Sequence, residues 1–323
     1  MSKFVIKRIL LIIPSVIVTS FIVFFLINLT PASPARAMLG DGATEEEVAQ
    51  LNHDLGYDQP YMVRYFNLLW NSVHGDLGTS YYSSRPVVTE IVSRWPYTFT
   101  LAISTILLSF LLGVPLGILC AVKQYSAADR IASTVAMLFA ATPNFWLASI
   151  LVIIFAVNLN WFPANGISTF SSWVLPVAAA TLIRMANFLR FSRSSMLDTI
   201  RQDYIRTARS KGAKESKVIF GHAFRNALIP LLTYTGVSLG YVMGGSIVIE
   251  KVFSVNGLGT MTLTAIYRKD IPQVMGCITV LAITFMFILL IIDIVCAFID
   301  PRIKARYANS SVKKRKEVAK NEN

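Results

Sequence analysis

Four stretches of this 323-residue chain, residues 9–29, 99–122, 131–159 and 228–249, contain no Asp, Glu, Lys or Arg. Each is at least as long as the roughly 20 apolar residues that a helix needs to cross a bilayer. A lipid-embedded backbone must satisfy its hydrogen bonds internally, so a chain with several such runs folds as a helical bundle. Two further runs, 173–189 and 275–299, each carry one charge, Arg184 and Asp293. A central charge costs about 2.5–3.5 kcal/mol on insertion scales, which about seven Leu or Ile residues offset. The reading is therefore all-α and polytopic with six transmembrane helices, the third and second of them kinked at Pro143 and Pro115.

Orientation follows from the basic residues, which are retained on the cytoplasmic side. With both termini inside, the inner segments hold 23 of the 30 Lys and Arg residues. Topology thus accounts for most of the +12 net charge, and no nucleic-acid partner is expected. The tail Lys313-Lys314-Arg315-Lys316 reads as a solvated or lipid-touching end. Cys120, Cys277 and Cys296 are odd in number and show no disulfide or metal-ligand spacing. The sequence Ala35-Arg36-Ala37 resembles a signal-peptidase site, but the preceding apolar run is longer than a signal core, so the first span reads as a retained anchor.

The chain divides into a first span (1–29), an extracytoplasmic loop (30–97), a five-helix core (98–299) and a basic tail (300–323). Within the loop, Thr44 followed by three glutamates predicts a capped helix over 43–55. Apolar spacing predicts another over 61–73, its aromatic face resting on the membrane surface or the bundle. His74 and Asp76 are two possible metal ligands without a third. Asn256, Gly257 and Gly259 predict a tight turn before a short amphipathic helix; the Gly-x-Gly pair lacks the strand and third glycine of a nucleotide loop.

The segment 193–230 is basic and inner by this topology. Met196, Leu197, Ile200, Tyr204, Ile205 and Ala208 follow helical spacing, Gly212 sits at a left-handed cap position, and a second helix starts near Ala213, with Pro230 opening the fifth span. An interfacial helix pair drawn to anionic lipid and a helix that docks in the groove of a cytoplasmic partner both fit this pattern. Asp293 reads as an ion-pair partner of basic residues near Arg302, and Arg184 and Arg190 as side chains that snorkel to the inner surface.

Five ordered segments then carry a resemblance: "RYFNLLWNSVHGDLGTS" (64–80), "DYIRTARSKG" (203–212), "HAFRNALIP" (222–230), "VFSVNGLG" (252–259) and "IDPRI" (299–303). Together they resemble the permease subunits of ABC importers for dipeptides, oligopeptides and nickel. Of that pattern's E-A-A and Gly positions, Ala208 and Gly212 agree, while Arg206 and Thr207 depart. The resemblance implies a type I permease core with a cytoplasmic coupling helix, in a bacterial inner membrane. It implies a second permease subunit, two cytoplasmic ATPase subunits and an extracytoplasmic binding protein as partners, besides membrane lipid. Tyr204, Ile205, Arg206, Thr207, Ala208, Arg209 and Gly212 would form the coupling site, with Ile205 and Ala208 packed in the ATPase groove and Arg206 and Arg209 on its acidic rim. The chain lacks a G-x-x-x-x-G-K-[ST] motif, so it is expected to be no enzyme itself and to hold no cofactor, ATP and Mg being bound by the partner ATPases. A self-contained ion-coupled transporter is the alternative, and it would need more intramembrane carboxylates than Asp293.

Overall fold

A computed structural model describes residues 2–29, 33–40 and 42–299; the basic tail and the proposed partner Arg302 lie outside these. The described residues are helical, with one isolated β-bridge between Thr79 and Pro86. Five long apolar helices can span a membrane: α1 (Ser2–Asn28), α5 (Val87–Val122), α8 (Val174–Ile200), α10 (Arg225–Val252) and α12 (Ile271–Ile299). Between them lie α2 (Pro34–Leu39), α3 (Glu45–Asp54), α4 (Tyr61–Val73), α6 (Ala127–Ala141), α7 (Asn144–Leu151), α9 (Asp203–Ser210) and α11 (Leu258–Arg268).

The sixth expected span, 131–159, is not a kinked helix. It is a broken pair, α6 and α7, bent by 103°. Pro143 forces the preceding residue out of the helical region, and Thr142 and Pro143 are both extended, with ψ of 129° and 137°. Pro115, by contrast, lies within a continuous α5. Pro230 does not open a span either: it lies inside α10, which is preceded directly by a π-helical stretch, Lys217–Phe224.

The tightest packing in the bundle is between α5 and α8, which run parallel. Along α5, Ser109, Gly113 and Gly117 form a small-residue stripe on one face, which lets two backbones approach closely. Ser109 Oγ donates to the Thr181 carbonyl at 3.3 Å. A Cβ on Gly113 would stand 2.6 Å from the Met185 carbonyl oxygen, and one on Gly117 would collide with Ser192 and the Leu189 carbonyl. Gly236 and Gly240 of α10 instead make room for side chains of α12, Leu289 and Phe285.

Buried polar groups pin the two ends of the bundle. At the end carrying α11, Glu250 is fully buried; its carboxylate accepts from Thr98 Oγ1 (2.7 Å), Ser246 Oγ (3.2 Å) and the Thr260 amide (2.8 Å). Thr98 Oγ1 accepts in turn from the Leu258 amide. The Asn256–Gly259 turn leads into α11 as expected, and its glycines make room for this carboxylate, since a Cβ on Gly257 would lie 2.5 Å from Glu250 Oε1. Elements α2 to α4 and the turns after them gather at the same end. Thr44 and Glu47 form a reciprocal capping box at α3, Tyr65 of α4 is buried against Phe21 and Phe24 of α1, and Ser80 donates to the buried Asp270. His74 and Asp76 are engaged in local turns, with Trp70 and Gly78 respectively. Near the opposite end, Asp293 pairs with Arg8 of α1 at 2.8 Å. The packing of α1 against α12 brings this cation alongside; the expected pairing near Arg302 falls outside the described residues.

The glycine stripe gives a direct test. Gly117→Leu should destabilise the protein by about 1–3 kcal/mol or more, the cost of overpacking a closed contact. The thermal unfolding midpoint in detergent should drop accordingly, whereas Gly244→Ala, where a Cβ meets nothing within 4 Å, should leave it nearly unchanged.

Candidate functional site

The basic segment at the end of α8 builds a compact projecting element. Helical spacing predicts one helix through Ala208, but α8 stops at Ile200, and Gln202 turns extended (φ −72°, ψ 149°) before α9 begins. The Gln202 side chain donates back to the Asp198 carbonyl across this break. At its far end α9 closes in a Schellman arrangement: the Gly212 amide donates to the Arg209 carbonyl at 2.9 Å and the Ala213 amide to the Ala208 carbonyl at 3.3 Å. Gly212 has φ +76°, the left-handed region that glycine enters at little cost.

Ile205 corrects one expectation. Its side chain is 0% exposed, packed in the core cluster that includes Met196, Val218, Ile219 and Ala223, with Ala208 half-buried against it. It cannot enter a partner's groove, because it is the plug that holds α9 to its own bundle. The outward face consists of Tyr204, Arg206, Thr207, Arg209 and Ser210, all exposed. Thr207 Oγ1 donates to the Asp203 carbonyl, and Arg206 reaches Asp203 only at 3.8 Å with both side chains exposed. Such a pair contributes little and leaves the guanidinium available.

Arg209 is engaged differently. Its guanidinium grips Glu215 across the elbow through Nε (3.1 Å) and Nη2 (2.7 Å). Hydrogen bonds from Arg209 hold the Glu215 carboxyl below its ordinary range. The bidentate fork is a brace within this chain, so the expected Arg206–Arg209 pair divides into one outward cation and one internal strut.

A second ion pair joins α9's support to the broken span. Asp129, in the first turn of α6, is 3% exposed and accepts from Arg193 of α8 at 2.6 Å (Nε) and 2.8 Å (Nη2). The Tyr125 amide and Ser133 hydroxyl complete its partners. Spacing along the sequence does not reveal this pair, since 64 residues separate its members. The available signal is the presence of opposite charges at the same ends of two neighbouring spans.

Arg184 lies elsewhere. It stands sixteen residues before the end of α8, about 24 Å along the axis at 1.5 Å per residue, too far to snorkel to that end. It lies instead near the α6–α7 break, lining a small cavity with Asn144, Tyr241 and Ser246.

Comparison with known proteins fits this architecture. Residues 113–305 match the family of binding-protein-dependent transport system inner membrane components, and residues 1–102 match the N-terminal part of such components. The chain belongs to this family. It is 38% identical over 312 residues to a Brucella abortus (strain 2308) protein named as a peptide transport system permease, covering 94% of this chain and 99% of that one. It is 36% identical over 304 residues to the glutathione transport system permease GsiC of Escherichia coli O6:H1, with the same coverage. A chain of the inward-facing MetNI methionine ABC transporter shares the fold, with a TM-score of 0.54 at 18% identity, over 65% of this chain and 96% of that one. As a membrane component of this family, the chain is a multi-pass permease subunit.

The Asp129–Arg193 pair should be costly to break from one side. Arg193→Met leaves a buried unpaired carboxylate and should destabilise by about 3–5 kcal/mol. Asp129→Asn combined with Arg193→Met should recover much of that loss, as read by thermal unfolding of the purified permease.

Proposed function

We propose that this chain forms the transmembrane pathway of an ATP-driven importer for di- or oligopeptides, paired with a second permease subunit. It takes solute from an extracytoplasmic binding protein at the α11 end and couples to two ATPase subunits at the α9 end. Both termini are then cytoplasmic, as the excess of basic residues on the α9 side requires. The observation that carries this reading is α9: a short helix anchored by a buried Ile205, stopped by Gly212 and braced by Arg209, with an exposed cationic face. Among the described residues on the basic side, no other element is so well built to transmit a displacement. Relatives named for peptide and glutathione transport support a peptide-like solute. ATP and Mg belong to the ATPase partners. Closure of those partners would push α9 as a rigid body and tilt α8 and α10, exposing the pathway alternately to each side.

The test uses the complete complex in proteoliposomes. Arg206→Glu combined with Tyr204→Ala should lower co-purification of the ATPase subunits and reduce ATP-dependent peptide uptake at least tenfold, with the permease still folded. Uptake that proceeds without ATPase subunits, or that ignores these changes, would overturn the reading in favour of a self-contained transporter.

A further inference from the structure

Arg184 is the cation that the coupling machinery leaves unexplained. It sits ten residues into α8, about 15 Å from the helix start at 1.5 Å per residue, half the thickness of a hydrocarbon core of about 30 Å. A charge at such depth is expensive and marks a functional pathway by default. A guanidinium carries five N–H donors and no acceptor. Yet among the described residues Arg184 has no carboxylate in ion-pairing range; its neighbours are two tyrosines, Tyr234 and Tyr241, the Tyr241 ring centroid 5.8 Å away. The buried or half-buried carboxylates of the spans, by contrast, are matched: Asp129 by Arg193, Asp293 by Arg8, Glu250 by hydroxyls and an amide.

The surroundings are arranged for an anion. Arg184 lines a cavity of about 20 Å³ with Asn144 and Tyr241 on its polar side, room for about one water molecule; Ser246 lines it too, but its hydroxyl is already given to Glu250 and the Met243 carbonyl. Asn144 opens α7 directly after the 103° break, and no side chain caps the first amides of that helix. An uncapped helix start favours negative charge. Thus a guanidinium and a helix N-terminus meet at mid-depth and face the same small space. Tyr241 is 65% exposed, on a face of α10 away from the Gly236 and Gly240 contacts with α12. Lipid headgroups lie about 15 Å away at either interface and cannot supply the anion.

We infer that Arg184, with Asn144 and the start of α7, forms a mid-membrane subsite for the terminal carboxylate of a passing peptide. The inference rests on the peptide-import reading. It adds a contact in the pathway itself, so that discrimination for a free C-terminus operates in the permease as well as at the point of delivery. The break at Pro143 acquires a purpose: it ends one helix and starts another at the depth where an anion must be held without the full cost of desolvation.

Two measurements test this. In the reconstituted complex, a peptide with a free C-terminus and its C-terminal amide are each supplied at saturation of the binding protein, and maximal uptake rates are compared. Arg184→Gln should reduce uptake of the free acid at least tenfold and of the amide less than twofold, and Arg184→Lys should restore the acid to within about threefold of the parent. Equal loss for both peptides, or no loss, would overturn the assignment; failure of the parent complex to move any peptide would instead overturn the function proposed above. The second measurement needs no transport. Asn144→Cys, in a chain whose native Cys120, Cys277 and Cys296 are buried, is labelled with a sulfonate- and an ammonium-bearing thiosulfonate of similar size. The anionic-to-cationic rate ratio should fall at least tenfold when Arg184→Gln is added. An introduced thiol that reacts with neither reagent, or an unchanged ratio, would overturn the subsite.

Discussion

Burial of Ile205 is the contact on which the mechanical reading of this permease depends. An eight-residue helix is too short to persist alone in water, and α9 has no side-chain cap at its start. It is held because one side chain of about 1.5–3 kcal/mol in burial energy is locked among Met196, Val218 and Ile219, while Gly212 and the Arg209–Glu215 fork fix its far end. The same cluster reaches Ala102, Ile106, Val114 and Ile118 of α5 and Leu239 and Val242 of α10. A push on α9 is therefore a push on three long helices.

The rest of the bundle divides into fixed and breakable parts. Parallel α5 and α8 approach along Ser109, Gly113 and Gly117 so closely that their relative position leaves no slack. At one end, Glu250 ties α5, α10 and the start of α11 into one unit. At the other, Asp129 and Arg193 tie α6 to α8. Between the pinned ends the third span is interrupted at Thr142–Pro143, and Arg184 faces that interruption. A block that moves as one piece next to a broken helix is a physical basis for alternating access, because packed cores shift between discrete arrangements.

Much of this is legible in the sequence, and for identifiable reasons. Charge-free runs mark the spans because lipid imposes length and composition together. Thr44 with Glu47 announces α3, apolar spacing places α4 at its observed bounds, and Gly212 announces the left-handed cap. The two diverge where a local pattern is overruled by neighbours or by a break. Helical periodicity continues across Arg201–Gln202 although the helix does not. Ile205 has the look of a knob for a partner because amphipathic spacing says which face is apolar and not what covers it. Glu250 gives no signal of its own beside Lys251, although Gly257 and Gly259 nearby are a sign of close approach. The Asp129–Arg193 and Arg8–Asp293 pairs join distant positions, and only the packing of α6 on α8 and of α1 on α12 brings them together.

The central claim is that α9 transmits force through Ile205, and it is tested most directly by Ile205→Ala in the reconstituted complex. The ratio of peptide imported to ATP hydrolysed is the quantity to measure, with co-purification of the ATPase subunits as the check on docking. The exposed face of α9 is untouched by this change, so the ATPases should still bind and turn over while the ratio falls at least tenfold. An unchanged ratio in an assembled complex would contradict the account, because the displacement would then reach the pathway by some other contact.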